Sequence, residues 1–265
     1  YLKYHGDDGQ KQLTFNLFSN YGASWDPTGK NILYTAITAR GTRVFMQGFR
    51  PLRVKSVEVF FDEGTGSAAE WGSTGRVFIS KYVNRSNTDI YEYYLDGEKI
   101  YGMPTPKLRE SDRLTKNSAI ETEPALSPDG RYLALISDRT GSPQVYVRDM
   151  QRKKLTRITE NGNYNVSPSW SPDGKFIAYA SRRSGVSSIY RIDPKSKEEN
   201  RVTPKNMNAE SPTWSPDGSM IAFSGKKGGD WKIYYSLSSG GQAVRLTNSK
   251  AGLQETMPSW GPSLR

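Results

Sequence analysis

The sequence predicts an all-β fold, a six-bladed β-propeller of four-stranded antiparallel blades, and three observations carry that expectation. A Trp-Ser-Pro-Asp-Gly turn recurs in "SWSPDGKFIAY" from Ser169 and "TWSPDGSMIAF" from Thr213, with "ALSPDGRYLAL" from Ala125 and looser copies "SWDPTGKNILY" from Ser24 and "EWGSTGRVFIS" from Glu70. A last copy, "SWGPSLR", closes the chain. The residue before each turn defines six anchors, Trp25, Trp71, Leu126, Trp170, Trp214 and Trp260, spaced 46, 55, 44, 44 and 46 residues apart. Composition agrees, since 16 Tyr, 9 Phe and 6 Trp favour strands while 25 Gly and 15 Pro supply the turns that many short strands require.

Each element of the repeat has a reason. The first strand ends at the anchor, whose large apolar surface is expected to pack between neighbouring blades. In the turn that follows, Pro presets φ, Asp accepts local backbone hydrogen bonds and Gly takes the left-handed conformation that leads into the second strand. That strand, such as "FIAYAS", places Leu33, Ile79, Ala134, Ala178 and Ala222 eight residues after the anchors, and the third places Phe45, Tyr91, Tyr146, Tyr190 and Tyr234 twenty after. The fourth, such as "RVT", ends on a Thr 33 residues after the anchor, at Thr159, Thr203 and Thr247. In the second repeat the matching Thr115 stands 44 residues after Trp71, an 11-residue insertion. Its contents, "DGEKIYGMPTPKLRESD" at residues 96–112, are expected to form a long loop tipped by Tyr101, Met103, Pro104 and Pro106, either a contact surface of its own or tolerated length.

The chain opens on "YLKYHGDDGQKQLT", which aligns with "IYYSLSSGGQAVRLT" from Ile233 and therefore reads as a third strand. Residues 1–265 are expected to form one propeller domain whose ring closes by pairing the N- and C-terminal segments, the C-terminus giving the closing blade its first strand. No copy of the second strand precedes Tyr1, so the parent protein is expected to continue upstream into an additional N-terminal region.

The chemistry that the chain can support is narrow. It holds no Cys and one His, His5, beside the Gly6-Asp7-Asp8-Gly9 turn, where it reads as a loop residue; this leaves no thiolate nucleophile and no zinc motif. No G-x-S-x-G elbow occurs, and no residue is assigned a catalytic role, so the chain is not expected to be an enzyme. No apolar run reaches the roughly 20 residues of a membrane span, and no membrane insertion is expected. The net charge of +10 comes with basic clusters such as Arg152-Lys153-Lys154, Arg182-Arg183 and Lys226-Lys227 in the turns of different repeats. They read as solvated charge, with no nucleic-acid partner.

In a propeller the innermost strand of every blade lines the axis, so the residues three to five before each anchor converge on one tunnel mouth. Those positions hold Glu121, Glu123, Asn165, Ser167, Glu210, Ser211, Glu255 and Thr256, an acidic mouth in a basic protein. Three readings stay open: carboxylates that bond backbone at strand starts, acceptors for a basic or amide-rich partner segment, or oxygen ligands of a hard cation such as Ca²⁺. No cofactor is otherwise expected.

With its Trp-Ser-Pro-Asp-Gly turns, the phrases "EPALSPDG" and "SPSWSPDG", the hairpin "SDRTGSPQVYVRD" from Ser137 and the terminal "MPSWGPSL", the chain resembles the TolB family over essentially all its 265 residues. The family comprises periplasmic propeller proteins of the bacterial Tol-Pal envelope system. The resemblance implies a periplasmic, monomeric, non-catalytic protein-binding propeller. It also implies docking of the lipoprotein Pal at the tunnel mouth, in outer-membrane integrity and cell division, and contact with other Tol proteins through the missing N-terminal region. Propellers that gate a serine peptidase-like enzyme, or bind substrate for a carbohydrate-active one, carry similar turns and form the alternative. Thr28 and Thr74 stand where the turn expects Asp, so the pairing of the first two turns is open.

Overall fold

A computed structural model describes Leu13 and residues 19–48, 57–58, 66–72, 75–84, 86–96 and 107–261. These form twenty strands in five antiparallel sheets, each pairing its strands in chain order. Blade one comprises β1 (Ser19–Trp25), β2 (Asn31–Thr38), β3 (Gly41–Gly48) and β4 (Val57–Glu58), and blade two β5 (Gly66–Trp71), β6 (Arg76–Asn84), β7 (Asn87–Asp96) and β8 (Lys107–Arg113). Blade three runs through β9 (Glu121–Leu126), β10 (Tyr132–Ser137), β11 (Gln144–Asp149) and β12 (Leu155–Arg157). Blade four has β13 (Tyr164–Trp170), β14 (Ile177–Arg183), β15 (Val186–Ile192) and β16 (Glu199–Arg201), and blade five β17 (Asn208–Trp214), β18 (Met220–Lys226), β19 (Trp231–Leu237) and β20 (Val244–Arg245). No helix of the described residues is long and apolar enough to cross a membrane.

Six blades were expected, and the described residues form five. Residues 255–260, assigned to the first strand of a closing blade, are not a strand, and the N-terminal segment meant to pair with them, His5 included, lies outside the described residues apart from Leu13. A first strand forms by pairing with a second, as β13 does with β14, and among the described residues no strand pairs with residues 255–260. The C-terminal residues nevertheless stand against blade one. Trp25 Nε1 donates to the Ser259 carbonyl at 3.3 Å, and a Cβ at Gly261 would lie 2.8 Å from the Trp25 ring.

The anchors do pack between blades. Trp71 joins Leu33, Val44 and Met46 of blade one to Val77, Ile79, Tyr91 and Tyr93 of its own blade, while Leu126 takes the same place with Phe78, Ile90 and Leu133. Trp170 and Trp214 sit in the next two interfaces. The indoles also tie blades by hydrogen bonds: Trp170 Nε1 donates to the Ala125 carbonyl and Trp214 Nε1 to the Ser169 carbonyl, both at 3.0 Å. Trp25 and Ser259 repeat that bond, since each acceptor immediately precedes an anchor.

The turns show why their residues recur. Ser127 Oγ donates to Asp129 Oδ1 at 2.6 Å and accepts the Tyr132 N–H at 2.8 Å, and Gly130 closes the turn with φ 70°. Ser171 and Ser215 do the same. Blade one exchanges the two roles: Asp26 stands at the serine position, accepts from Thr28 Oγ1 at 2.8 Å and from the Asn31 N–H at 3.0 Å, so Thr28 replaces Asp without loss of the turn. Thr74 lies outside the described residues. At the far end of blades two to five, the hydroxyls of Thr115, Thr159, Thr203 and Thr247 accept the N–H of Ile90, Val145, Ile189 and Ile233 at 2.9–3.1 Å, past the end of the fourth strand. The Arg two residues earlier donates to each Thr carbonyl.

The loop expected at residues 96–112 is shorter than that span. Lys107–Arg113 forms β8, which pairs with β7 from Asp96↔Lys107 onward. Its expected tip, with Tyr101, Met103, Pro104 and Pro106, lies outside the described residues.

Candidate functional site

Each first strand is innermost in its sheet, and β1, β5, β9, β13 and β17 pack on one another in that order, with corresponding ends together. Every one carries a bulge at the same place, between Tyr21 and Ser24, Ser67 and Glu70, Thr122 and Ala125, Val166 and Ser169, and Glu210 and Thr213. In β1, β9, β13 and β17 the bulge holds a left-handed residue three before the anchor, Gly22 (φ 61°), Glu123 (52°), Ser167 (56°) and Ser211 (53°), and Met257 (54°) takes the same conformation ahead of Trp260. Left-handed backbone disfavours side chains with a Cβ by about 1–2 kcal/mol, and such positions persist where the surroundings hold them. Four of these five positions bear a side chain.

The bulges communicate. Glu123 Oε2 accepts the Ser167 N–H at 2.6 Å, which links the left-handed residue of blade three to that of blade four. Burial pushes the Glu123 carboxyl up; the backbone and hydroxyl of Ser167 partly offset this, and the charge of Glu210 adds to it. Glu123, Ser167, Glu210 and Ser211 are all partly open to solvent. The structure thus brings Glu123, Ser167 and Glu210 near one another, and Ser211 follows Glu210 on β17.

The residues five before the anchors, and Thr256 four before Trp260, go elsewhere. Glu121 is fully buried, its Oε1 paired with Arg139 and accepting from Ser137 Oγ at 3.2 Å. Asn165, also fully buried, donates from Nδ2 to Gln144 Oε1 at 2.7 Å and to the Asn161 carbonyl at 2.9 Å. Glu255 stands 3.8 Å from Lys232 Nζ, and its N–H donates to the Trp231 carbonyl at 2.9 Å. Thr256 is exposed. Asn165 and Glu255 thus reach the preceding blade, Glu121 bonds within its own, and beside Thr256 the Met257 N–H donates to Ser224 Oγ at 2.8 Å.

Two positions escaped the sequence reading. Gly22 and Met257 share the left-handed conformation, and counting strictly three residues back from every anchor would have found both. For a cation, Glu123 and Glu210 fall short of the 6–8 oxygen ligands that Ca²⁺ takes. Among the described residues no three His, Asp or Glu side chains group closely enough to hold a metal.

Residues 2–264 match the family model described as the TolB β-propeller domain. A protein TolB homolog of Chlorobaculum tepidum is 30% identical over 127 residues, which is 48% of this chain and 25% of that protein. The match therefore spans about a quarter of the curated relative. Among solved structures, TolB from Acinetobacter baumannii superposes with a TM-score of 0.76 at 23% identity, covering 93% of this chain and 58% of that one. A TolB-like protein from Agrobacterium tumefaciens gives 0.73 at 21% identity, covering 93% and 87%.

Proposed function

The chain belongs to the TolB β-propeller domain family, and from that membership we propose that it is a non-catalytic protein-binding propeller whose partner docks on the ring of left-handed residues. The observation that carries this reading is the Glu123–Ser167 bond beside Glu210: a strained, partly exposed polar arrangement at the axis, held by backbone geometry that recurs blade after blade. A basic or amide-rich segment fits it, because each donor that reaches Glu123 or Glu210 relieves a carboxylate that now has few donors. Curated TolB proteins such as that of Bordetella pertussis are named for the Tol-Pal system, 50% identical over 34 residues that make up 13% of this chain and 8% of that protein. The partner in this reading is a Pal-like lipoprotein, the compartment the periplasm, the working form a monomer, and the process outer-membrane integrity and cell division.

The test is titration of the soluble part of a Pal-like lipoprotein against the chain and its Glu123→Gln/Glu210→Gln double variant. The expected result is binding by the chain, weakened about ten-fold or more in the variant, with the melting temperature nearly unchanged. Unaltered affinity removes these carboxylates from the site, and no binding by the parent chain overturns the choice of partner.

A further inference from the structure

In blades three and four, the residue 13 after the anchor is an arginine held by the same set of groups. Arg183 donates from Nε to Ser181 Oγ at 3.0 Å, lies 3.7 Å from the centroid of Tyr190, and pairs with Glu199 at 2.6 and 2.9 Å. Arg139 donates to Ser137 Oγ at 3.1 Å, lies 5.3 Å from the centroid of Tyr146, and pairs with Glu121. The hydroxyl stands 11 residues after the anchor and the aromatic ring 20 after. The acid stands either 29 after, as Glu199, or five before, as Glu121.

Blade five keeps the cation and the ring, as Lys227 and Tyr234, and loses everything else. Glycine, Gly225, stands at the serine position, and alanines, Ala209 and Ala243, stand at both acid positions. The space beside Gly225 has been taken over: a Cβ there would lie 2.3 Å from Met207 Cε and 2.7 Å from the Tyr234 ring. The space at Ala243 has not. A cavity of about 520 Å³ opens there, lined by Lys227, Arg245, Tyr234, Asn206, Gln242 and Ala243, with no carboxylate in its wall. Lys227 makes no ion pair among the described residues, and Arg245 spends its Nε on the Thr247 carbonyl at 2.6 Å.

We propose that this cavity is a ligand site for a carboxylate, which takes the place that Glu199 fills in blade four. Two cations face it, two amides can donate to its second oxygen, and the Tyr234 ring and Ala243 methyl receive an aliphatic stem. The site does not depend on the ring at the axis, and it binds an anion where that ring binds donors.

The test uses the full chain, with a blocked Ala-Glu-Ala tripeptide and glutarate as probes and Ala-Gln-Ala as control, in calorimetric titration. At least one carboxylate probe is expected to bind, at least ten-fold more tightly than the control. Both Lys227→Gln and Ala243→Glu, the latter supplying its own carboxylate, are expected to weaken that binding at least ten-fold while melting curves show both variants folded. Tighter binding of the tripeptide assigns the carboxylate to an acidic side chain of a peptide, and tighter binding of glutarate to a free small acid. No binding of either probe at millimolar concentration, or undiminished binding in either variant, overturns the proposal.

Discussion

Glu70 stands one residue before the Trp71 anchor, and burial pushes its carboxyl up to about 7 despite a hydrogen bond with Ser24. A carboxyl raised in the folded state favours folding below its ordinary value of 4.5, and that contribution is lost as pH rises through about 7. Glu70→Gln is therefore expected to leave the melting temperature unchanged near pH 4 and to raise stability at pH 8 by up to about 3 kcal/mol, read by thermal unfolding at both pH values. A gain at pH 4 equal to that at pH 8 would remove the titration as its cause. The same scale explains what the sequence hid. Gly22 advertises left-handed backbone, but Glu123, Ser167, Ser211 and Met257 do not, because their conformation is held by their surroundings and not by their own preference. Glu121 and Asn165 were legible as inner-strand residues but not as buried ones, since their partners Arg139 and Gln144 lie 18 and 21 residues away in sequence.

A fourth strand of two or three residues survives because of the threonine that follows it in blades three to five. Thr203→Val keeps shape and burial but leaves the Ile189 N–H without its acceptor, and is expected to destabilise the chain by about 1–3 kcal/mol in denaturant unfolding. A change near zero would mean that the hydroxyl only accompanies the strand end. The spacing of these threonines made four strands per repeat readable, and the buried residues eight after each anchor show that the second strands were placed in register. The insertion in blade two was misjudged in part because "KLRESDR" has no β-branched residue; pairing with the long β7 makes it a strand.

For the molecule as a whole, blade order was legible from the anchors, but blade number was not. Counting anchors gives six, whereas a blade needs four paired strands, and among the described residues none pairs with the stretch before Trp260. The contact of Trp25 with Ser259 is the same joint that Trp170 makes with Ala125, across 234 residues in place of 45. Trp25→Phe and Trp170→Phe each remove one indole donor, and each is expected to lower the melting temperature by about 2–4 °C, as for a loss of about 1 kcal/mol. No fall for Trp25→Phe beside a clear one for Trp170→Phe would show that the joint at the C-terminal residues bears no load.

The bulge repeated in every inner strand has a consequence for what can enter the axis. An uninterrupted strand edge invites an extended peptide to add itself as another strand, through main-chain ladders that ignore side-chain identity. Here the ladder is broken at the bulge of each first strand, which shortens the edge on which a threaded peptide could zip. Selection along the axis then falls more to side chains, residue against residue, and indiscriminate strand addition is disfavoured by the same kink that aims Glu123 at its neighbour.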